Sequence, residues 1–431
     1  MAVAPGVKPS AQRMEEQEVR SRAGLVGGVA TLGTYVWTRM RQGELGQMPA
    51  LVGLVAIWVF FQLRQPTFLS ARNLSNLVLQ IGVTGTIATG IVMVLLLSEI
   101  DLSVGSVSIL TSAVLADLMI NSGWHWYWAL VMMLIVGTAV GAFQGFWFSV
   151  IGVPSFVVTL AGLIGWQGVE QWVLGQNGTI NIFDNRIDAI ATYSLPSYLG
   201  WILGIVAVSV FALNRIVQQV RRRAAGLPAK PIAAVAAQAA LITVITLLAV
   251  AILNGELDGV WVFGRAIYVN PGVPIIGIIL LGLIIVFAWV TTRTQFGRYI
   301  YAVGGNPEAA RRAGVNVTGI RIAVFSLCAL LASVGGLIQT SRLSAASNQL
   351  DPGQITLEAI AAAVIGGTSL FGGRGKISAA LLGAVVIGSV SNGLDLDGQQ
   401  PWTKLMVEGA ILLLFVTIDA LARRGRTAAG T

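Results

Sequence analysis

The sequence predicts an all-α, polytopic membrane helix bundle, and three observations carry that prediction. Only 11% of the 431 residues are charged, against about a quarter in an average soluble domain. Hydrophobic residues make up 55% of the chain, and the mean hydropathy is +0.78. The apolar residues also fall in continuous runs of roughly 17–25, the length that crosses about 30 Å of hydrocarbon as a helix. A barrel would alternate apolar and polar residues instead. A surface facing water over this length needs more charge, so an ordinary soluble enzyme, a coiled coil and a disordered chain are excluded.

Taken in order, the apolar runs lie near 47–63, 77–97, 102–120, 126–150, 154–174 and 195–213, then 232–253, 273–291, 322–340, 355–371, 377–394 and 403–421. An earlier run, Gly24 to Trp37, is short for a span and suits an interfacial helix in a cytoplasmic tail over 1–46. The membrane domain is expected over 47–421, and a second tail over 422–431. With the N-terminus inside and twelve crossings, 21 of the 27 lysines and arginines fall on the cytoplasmic side, as does the C-terminus. That is the bias expected of basic residues around short loops. Asp184, Asp188, Glu256, Asp258, Asp351, Asp395 and Asp397 then lie outside. Omitting one span would invert every later loop and spoil the bias.

Single copies of two residue types narrow the chemistry. One cysteine, Cys328, allows no disulfide framework within the chain. One histidine, His125, allows no multi-histidine metal site. It sits in Trp124-His125-Trp126-Tyr127-Trp128, which reads as an interfacial aromatic belt.

Small residues recur every four positions at Gly82/Thr86/Gly90, Gly137/Gly141/Gly145, Ala359/Ala363/Gly367 and Ala380/Ala384/Gly388/Asn392. Each stripe flattens one helical face and lets backbones approach. Two segments break the apolar pattern. Ser98 to Ser106 puts Glu99 and Asp101 between two spans with almost no loop. Either it is a tight turn with solvated acids, or it is an irregular segment lining a polar cavity; its serines and glycine favour the second. Gly366 to Lys376 superficially resembles a phosphate loop, but Ile377 stands where that motif needs Ser or Thr. No other match exists, so the chain carries no P-loop ATPase of its own.

Polar residues within spans are candidates for function by default. Ser98, Glu99, Asp101, Ser103, Gln167, Glu170, Gln339 and Asn392 are the substrate-pathway candidates. Gln167 and Glu170 share a helical face, and the several neutral amides, hydroxyls and aromatic rings within the spans, Trp166 and Trp172 among them, suit a neutral polyhydroxylated solute better than an ion. Gln144 and Glu358 are further polar positions inside spans, and Glu408 lies near a span end.

The cytoplasmic loop 293–321 has the most specific local chemistry. Asn306 is a good N-cap, Pro307 suits the first helical position, and Glu308 complements the positive helix end. Ala309, Ala310, Arg311 and Arg312 continue the helix, and Gly314 suits its exit. The expected helix of about seven residues, on the order of 10 Å long, makes a rigid knob. It would either lie on lipid head groups or plug a partner's groove.

Glu308-Ala309-Ala310 followed by Gly314 resembles the EAA-type coupling motif of ABC importer permeases. The run Gly297 to Asn306 is similar to its sugar-permease form. Ile100-Asp101-Leu102-Ser103-Val104-Gly105, Val153 to Leu160 and Gly366-Gly367-Thr368-Ser369 resemble further blocks of the monosaccharide permeases. The resemblance covers roughly 50–214 and 272–421. An insertion of about 214–271, with the extra span near 232–253, is similar to the xylose-type members. What the resemblance implies is a non-catalytic subunit of the cytoplasmic (inner) membrane, paired with a second copy of itself. A cytoplasmic ATPase would use ATP and Mg on its behalf, an extracytoplasmic sugar-binding protein would deliver the solute, and this chain would bind no cofactor and no metal. Alternatives are a permease for another pentose, hexose or nucleoside, or a stand-alone proton-coupled sugar transporter with Glu99, Asp101 or Glu170 as relay.

Overall fold

The computed structural model describes residues 48–226, 232–255, 260–262, 265–267 and 272–428. The chain divides into two compact units, residues 50–415 and the two ends, 1–49 with 416–431. Of the ends, Met48, Pro49 and 416–428 are described, all helical. The expected tail over 1–46 lies outside the described residues.

Each of the twelve runs expected as spans falls on a helix, and the earlier run Gly24–Trp37 lies outside the described residues. The first helices are α1 (Met48–Arg64), α2 (Ala71–Leu96), α3 (Val104–Ile120), α4 (Trp126–Phe146) and α5 (Ser155–Leu174). After a short α6 (Asn185–Thr192) come α7 (Ser197–Ala224), α8 (Ile232–Leu253) and α9 (Ile275–Arg293). The loop after α9 folds as α10 (Gln295–Gly305) and α11 (Pro307–Arg312). The chain then continues as α12 (Val317–Leu343), α13 (Pro352–Ile365), α14 (Ser378–Leu396) and α15 (Pro401–Ala428). Six of these are long and apolar enough to cross a bilayer: α2, α4 with the π-helical turn Trp147–Ile151 that extends it, α7, α9, α12 and α14. The protein is a multi-pass membrane helix bundle.

Two helices are shorter than the sequence pattern predicts. α3 has 17 residues and α13 has 14, or about 25 and 21 Å. Both abut one of the polar breaks. Residues 99–103 precede α3 without regular structure, and the expected span 355–371 stops at Ile365 because Gly366 begins a chain of turns. Hydropathy does not register such an interruption, since the residues on either side remain apolar.

Among the described residues, regular structure other than helix consists of two ladders of three-residue strands. β1 (Thr179–Asn181) pairs antiparallel with β4 (Ala345–Ser347), Thr179 opposite Ser347. β2 (Val260–Val262) pairs with β3 (Arg265–Ile267) within the insertion. The extra span of that insertion, α8, packs mainly on α7 and lightly on α2.

α12 forms the axis of the bundle, with α2, α3 and α4 packed around it. The stripe Gly137, Gly141 and Gly145 of α4 lies directly on Ser333, on Ala329 with Phe325, and on Ile322 of α12, and a Cβ at any of the three would collide there. This is the packing use of small residues in a membrane, where dispersion rather than water expulsion holds helices together. α2 is buried along most of its length.

Helix ends sort into two faces. One gathers the end of α2, the turn between α4 and α5, α10, α11, the start of α12 and the Gly366–Lys376 turns. Gly373 N donates to Leu96 O at 3.1 Å, and Tyr301 Oη to Gly375 O at 2.9 Å. The other gathers the end of α1, the β1–β4 ladder, α6 and the ends of α12 and α14. There Arg64 Nη2 meets Asp397 Oδ2 at 3.0 Å, and Ser341 Oγ donates to Ile187 O at 2.6 Å.

Candidate functional site

The knob on the first face is built as its residues dictate. Asn306 Oδ1 accepts from Ala309 N at 2.9 Å, and Pro307 opens the helix. At the exit Gly314 N donates to Arg311 O and Val315 N to Ala310 O, both at 3.0 Å. Gly314 takes φ +84°, which costs glycine nothing. Ala310 is buried and anchors the helix, while Glu308, Arg311 and Arg312 stand out from it. Glu308 Oε2 pairs with Arg311 at 2.8 Å, and Glu308 Oε1 lies 3.5 Å from Arg312. α11 therefore presents a charged ridge on a six-residue helix, one residue shorter than expected.

The sequence reading missed α10. Its signal was present: Thr294 caps it by accepting from Gly297 N at 3.2 Å, and Phe296, Ile300 and Val303 recur at helical spacing. Ile300 and Val303 are fully buried. α10 plants the knob against the end of α2. Gly304 touches the Leu96 carbonyl so closely that a Cβ could not be placed.

Just beyond Leu96 lies the polar break. Ser98 adopts φ +65°, an uncommon conformation for a residue with a side chain. Its Oγ reaches Gly304 O at 2.9 Å and Phe371 O at 3.1 Å, so one residue touches both α10 and the glycine-rich turns. Glu99 accepts from Ser155 Oγ at 2.7 Å and from Arg321 Nη2 at 3.0 Å. Burial raises its carboxyl above the ordinary value, and the bonds from Ser155 and Arg321 pull it back. The Arg321 guanidinium also lies over the Phe148 ring at 4.8 Å. These residues, with Ser149 and Pro154, line an open cleft of about 430 Å³.

The chain then turns inward. Asp101 is buried and accepts from Ser103 N at 2.9 Å and Ser103 Oγ at 2.6 Å, at the start of α3. Ser103 Oγ also lies 3.0 Å from Gln144 Oε1 of α4. One hydroxyl proton cannot serve both oxygens. With that proton on Asp101, the Gln144 amide turned over would donate to Ser103 and offer its oxygen toward Trp166, whose Nε1 otherwise lacks a partner. Gly162 of α5 leaves the room in which Gln144 and Trp166 meet. The stretch divides in two: Ser98 and Glu99 face the cleft, and Asp101 and Ser103 lie buried inside the bundle.

The eight pathway candidates thus do not form one site. Ser98 and Glu99 belong to the cleft, Asp101 and Ser103 to the interior cluster. Gln167 is half-buried on α5, and Glu170, one turn on, is buried with Oε1 unpartnered. Gln339 lines a polar cavity of about 340 Å³ toward the other face, with Arg342, Glu358, Asp395 and Lys404 among its walls. Lys404 and Asp395 form an ion pair there. Asn392 is buried against α2, where its Oδ1 accepts from Asn73 Nδ2 at 2.7 Å, and Asn73 Nδ2 also donates to Phe68 O at 2.8 Å. That places Asn392 in a helix-to-helix clamp, apart from the other candidates. The basic members of that cavity, Arg342 and Lys404, were missed because they lie at helix ends, where basic residues are ordinary.

A family model described as the branched-chain amino acid transport system and permease component matches residues 73–416. The xylose transport system permease protein of Escherichia coli strain K12 is 38% identical over 377 residues, covering 87% of this chain and 91% of that protein. The corresponding protein of Haemophilus influenzae is 34% identical over 372 residues, 86% of this chain and 94% of the relative. The ribose import permease protein of Escherichia coli strain K12 is 31% identical over 379 residues, 87% and 94% of the two chains. No solved structure matches the chain.

Proposed function

The chain belongs to the family of branched-chain amino acid transport system permease components, and from that premise we propose that it is the membrane subunit of an ATP-driven importer of a monosaccharide, xylose before ribose. The order of the sugars rests on the relatives, 38% identical for the xylose permease and 31% for the ribose permease. In this reading the chain crosses the inner membrane twelve times with both ends inside, and two copies enclose the pathway. It performs no chemistry and binds no cofactor. A cytoplasmic ATPase consumes ATP and Mg, and an extracytoplasmic binding protein delivers the sugar.

One observation carries the reading: the capped α11, with its charged ridge outward and its base seated by α10 on the end of α2. A secondary transporter has no use for such a knob. For an importer it is the place where another polypeptide's motion enters. ATP binding and hydrolysis shift the bundle only if the ATPase binds α11 differently in its two states. Ser98, Glu99, Asp101, Ser103, Gln167, Glu170 and Gln339 remain the candidates for contact with the moving sugar.

The decisive experiment is reconstitution in liposomes. Uptake of labelled xylose should require ATP, the ATPase and the binding protein together. The permease alone under a proton gradient should accumulate nothing. Gradient-driven accumulation by the permease alone would overturn the assignment.

A further inference from the structure

The two flanks of the knob grip adjacent residues of the polar break. On the N-terminal flank, Gly304 O receives Ser98 Oγ at 2.9 Å. On the C-terminal flank, Arg321 holds Glu99 at 3.0 Å. Arg321 stands just over one turn into α12, whose first residues are capped by Asn316 Oδ1 accepting from Gly319 N at 2.9 Å. Two and four residues past Glu99, Asp101 and Ser103 are locked into the interior cluster with Gln144. No regular structure intervenes between Glu99 and Ser103. A short segment with both ends held passes displacement on to its far end, where a loose loop would absorb it.

We propose that residues 98–103 are a strap carrying motion of the docking helix to the interior polar cluster, with Arg321 as the positioning residue that fastens it through Glu99. This rests on the importer reading above. The geometry supports it in three further ways. Ser98 is held in a left-handed conformation that a side chain adopts at a cost, and its two oxygen partners define that pose. Glu99 is approached from a second element by Ser155 at the start of α5, so the strap also senses the α4–α5 turn. The Arg321 guanidinium is oriented by Phe148, which sits in the π-helical turn of that same connection. The strap and the starts of α5 and α12 therefore meet at one ion pair.

The test uses the whole transporter in liposomes and reads sugar imported per ATP hydrolysed. The wild-type complex is measured first, and ATP-driven uptake by it bears on the importer reading alone. The ratio of each variant to wild type bears on the strap. Arg321→Gln and Glu99→Gln should each lower the import-to-hydrolysis ratio by about tenfold, the size of coupling found between contacting residues. The double variant E99Q/R321Q should be no worse than either single one, because both cut the same fastening. Arg321→Lys retains charge at the site and should keep most of the ratio, which covers the case of a glutamine variant that assembles poorly. A merely structural contact would lower import and hydrolysis together and leave the ratio unchanged. An unchanged ratio in the single variants would overturn the proposal, as would a double variant whose loss is the product of the two single losses.

Discussion

Gly304 and the Leu96 carbonyl touch where the loop bearing the knob meets α2, and the contact admits no Cβ. Gly304→Ala must push α10 off the end of α2 or shift the buried Ile300 and Val303 beneath it. Overpacking of this kind costs about 1–3 kcal/mol. We expect the variant to insert in the membrane, melt at a lower temperature in detergent and couple poorly to the ATPase. A thermal melt with an ATP-driven uptake assay checks both. The ridge residues behave differently. The Glu308–Arg311 pair is more than half exposed on each side, and such pairs contribute about 0–1 kcal/mol. Glu308→Lys should therefore leave the melting temperature nearly unchanged while weakening ATPase capture in a pull-down. Full capture by this variant would remove Glu308 from the docking surface.

At the scale of elements, the far face is held by short polar ties between helix ends. Asp397, just past α14, accepts from Gln65 at 3.1 Å, from Gln399 at 3.0 Å and from Arg64 at 3.0 Å. The bond from Gln65 does most to hold its carboxyl below the ordinary value of 3.8, followed by those from Gln399 and Arg64. A carboxyl depressed in the folded state favours folding above its unfolded pKa, and that contribution fades as pH falls through the lower folded value. Asp397→Asn should consequently lower the melting temperature at pH 7. The gap from wild type should shrink as the pH drops below 3.8. A gap independent of pH, followed by differential scanning fluorimetry, would mean that the tie acts without its charge. The interruptions at α3 and α13 belong to this scale too. Asp101 and Ser103, in the irregular stretch before α3, are buried in protein, the condition under which a membrane tolerates irregular backbone.

Over the whole molecule, sidedness can be tested cleanly, because the single cysteine, Cys328, is fully buried. With Cys328→Ser as background, a cysteine replacing Ala313 beside the knob should resist a membrane-impermeant maleimide applied to intact cells. One replacing Asn348 beside the β1–β4 ladder should be labelled. The reverse pattern would invert the orientation and leave the knob with no ATPase to meet.

The class of the protein, the approximate place of the apolar helices and the knob were all legible in the amino-acid order alone. These rest on composition, hydropathy and capping, and each acts within a few turns of chain. Asn306, Pro307 and Gly314 specify a short helix wherever the loop is placed. That order did not reveal that Asn392 clamps α2 to α14, that α3 starts inside the bundle, or that Arg321 reaches back to Glu99, 222 positions away. A side chain's choice among distant partners depends on which helices pack together. In lipid that is decided by the fit of small-residue faces such as Gly137, Gly141 and Gly145 against α12, a property of two surfaces at once and so one that only the tertiary structure decides.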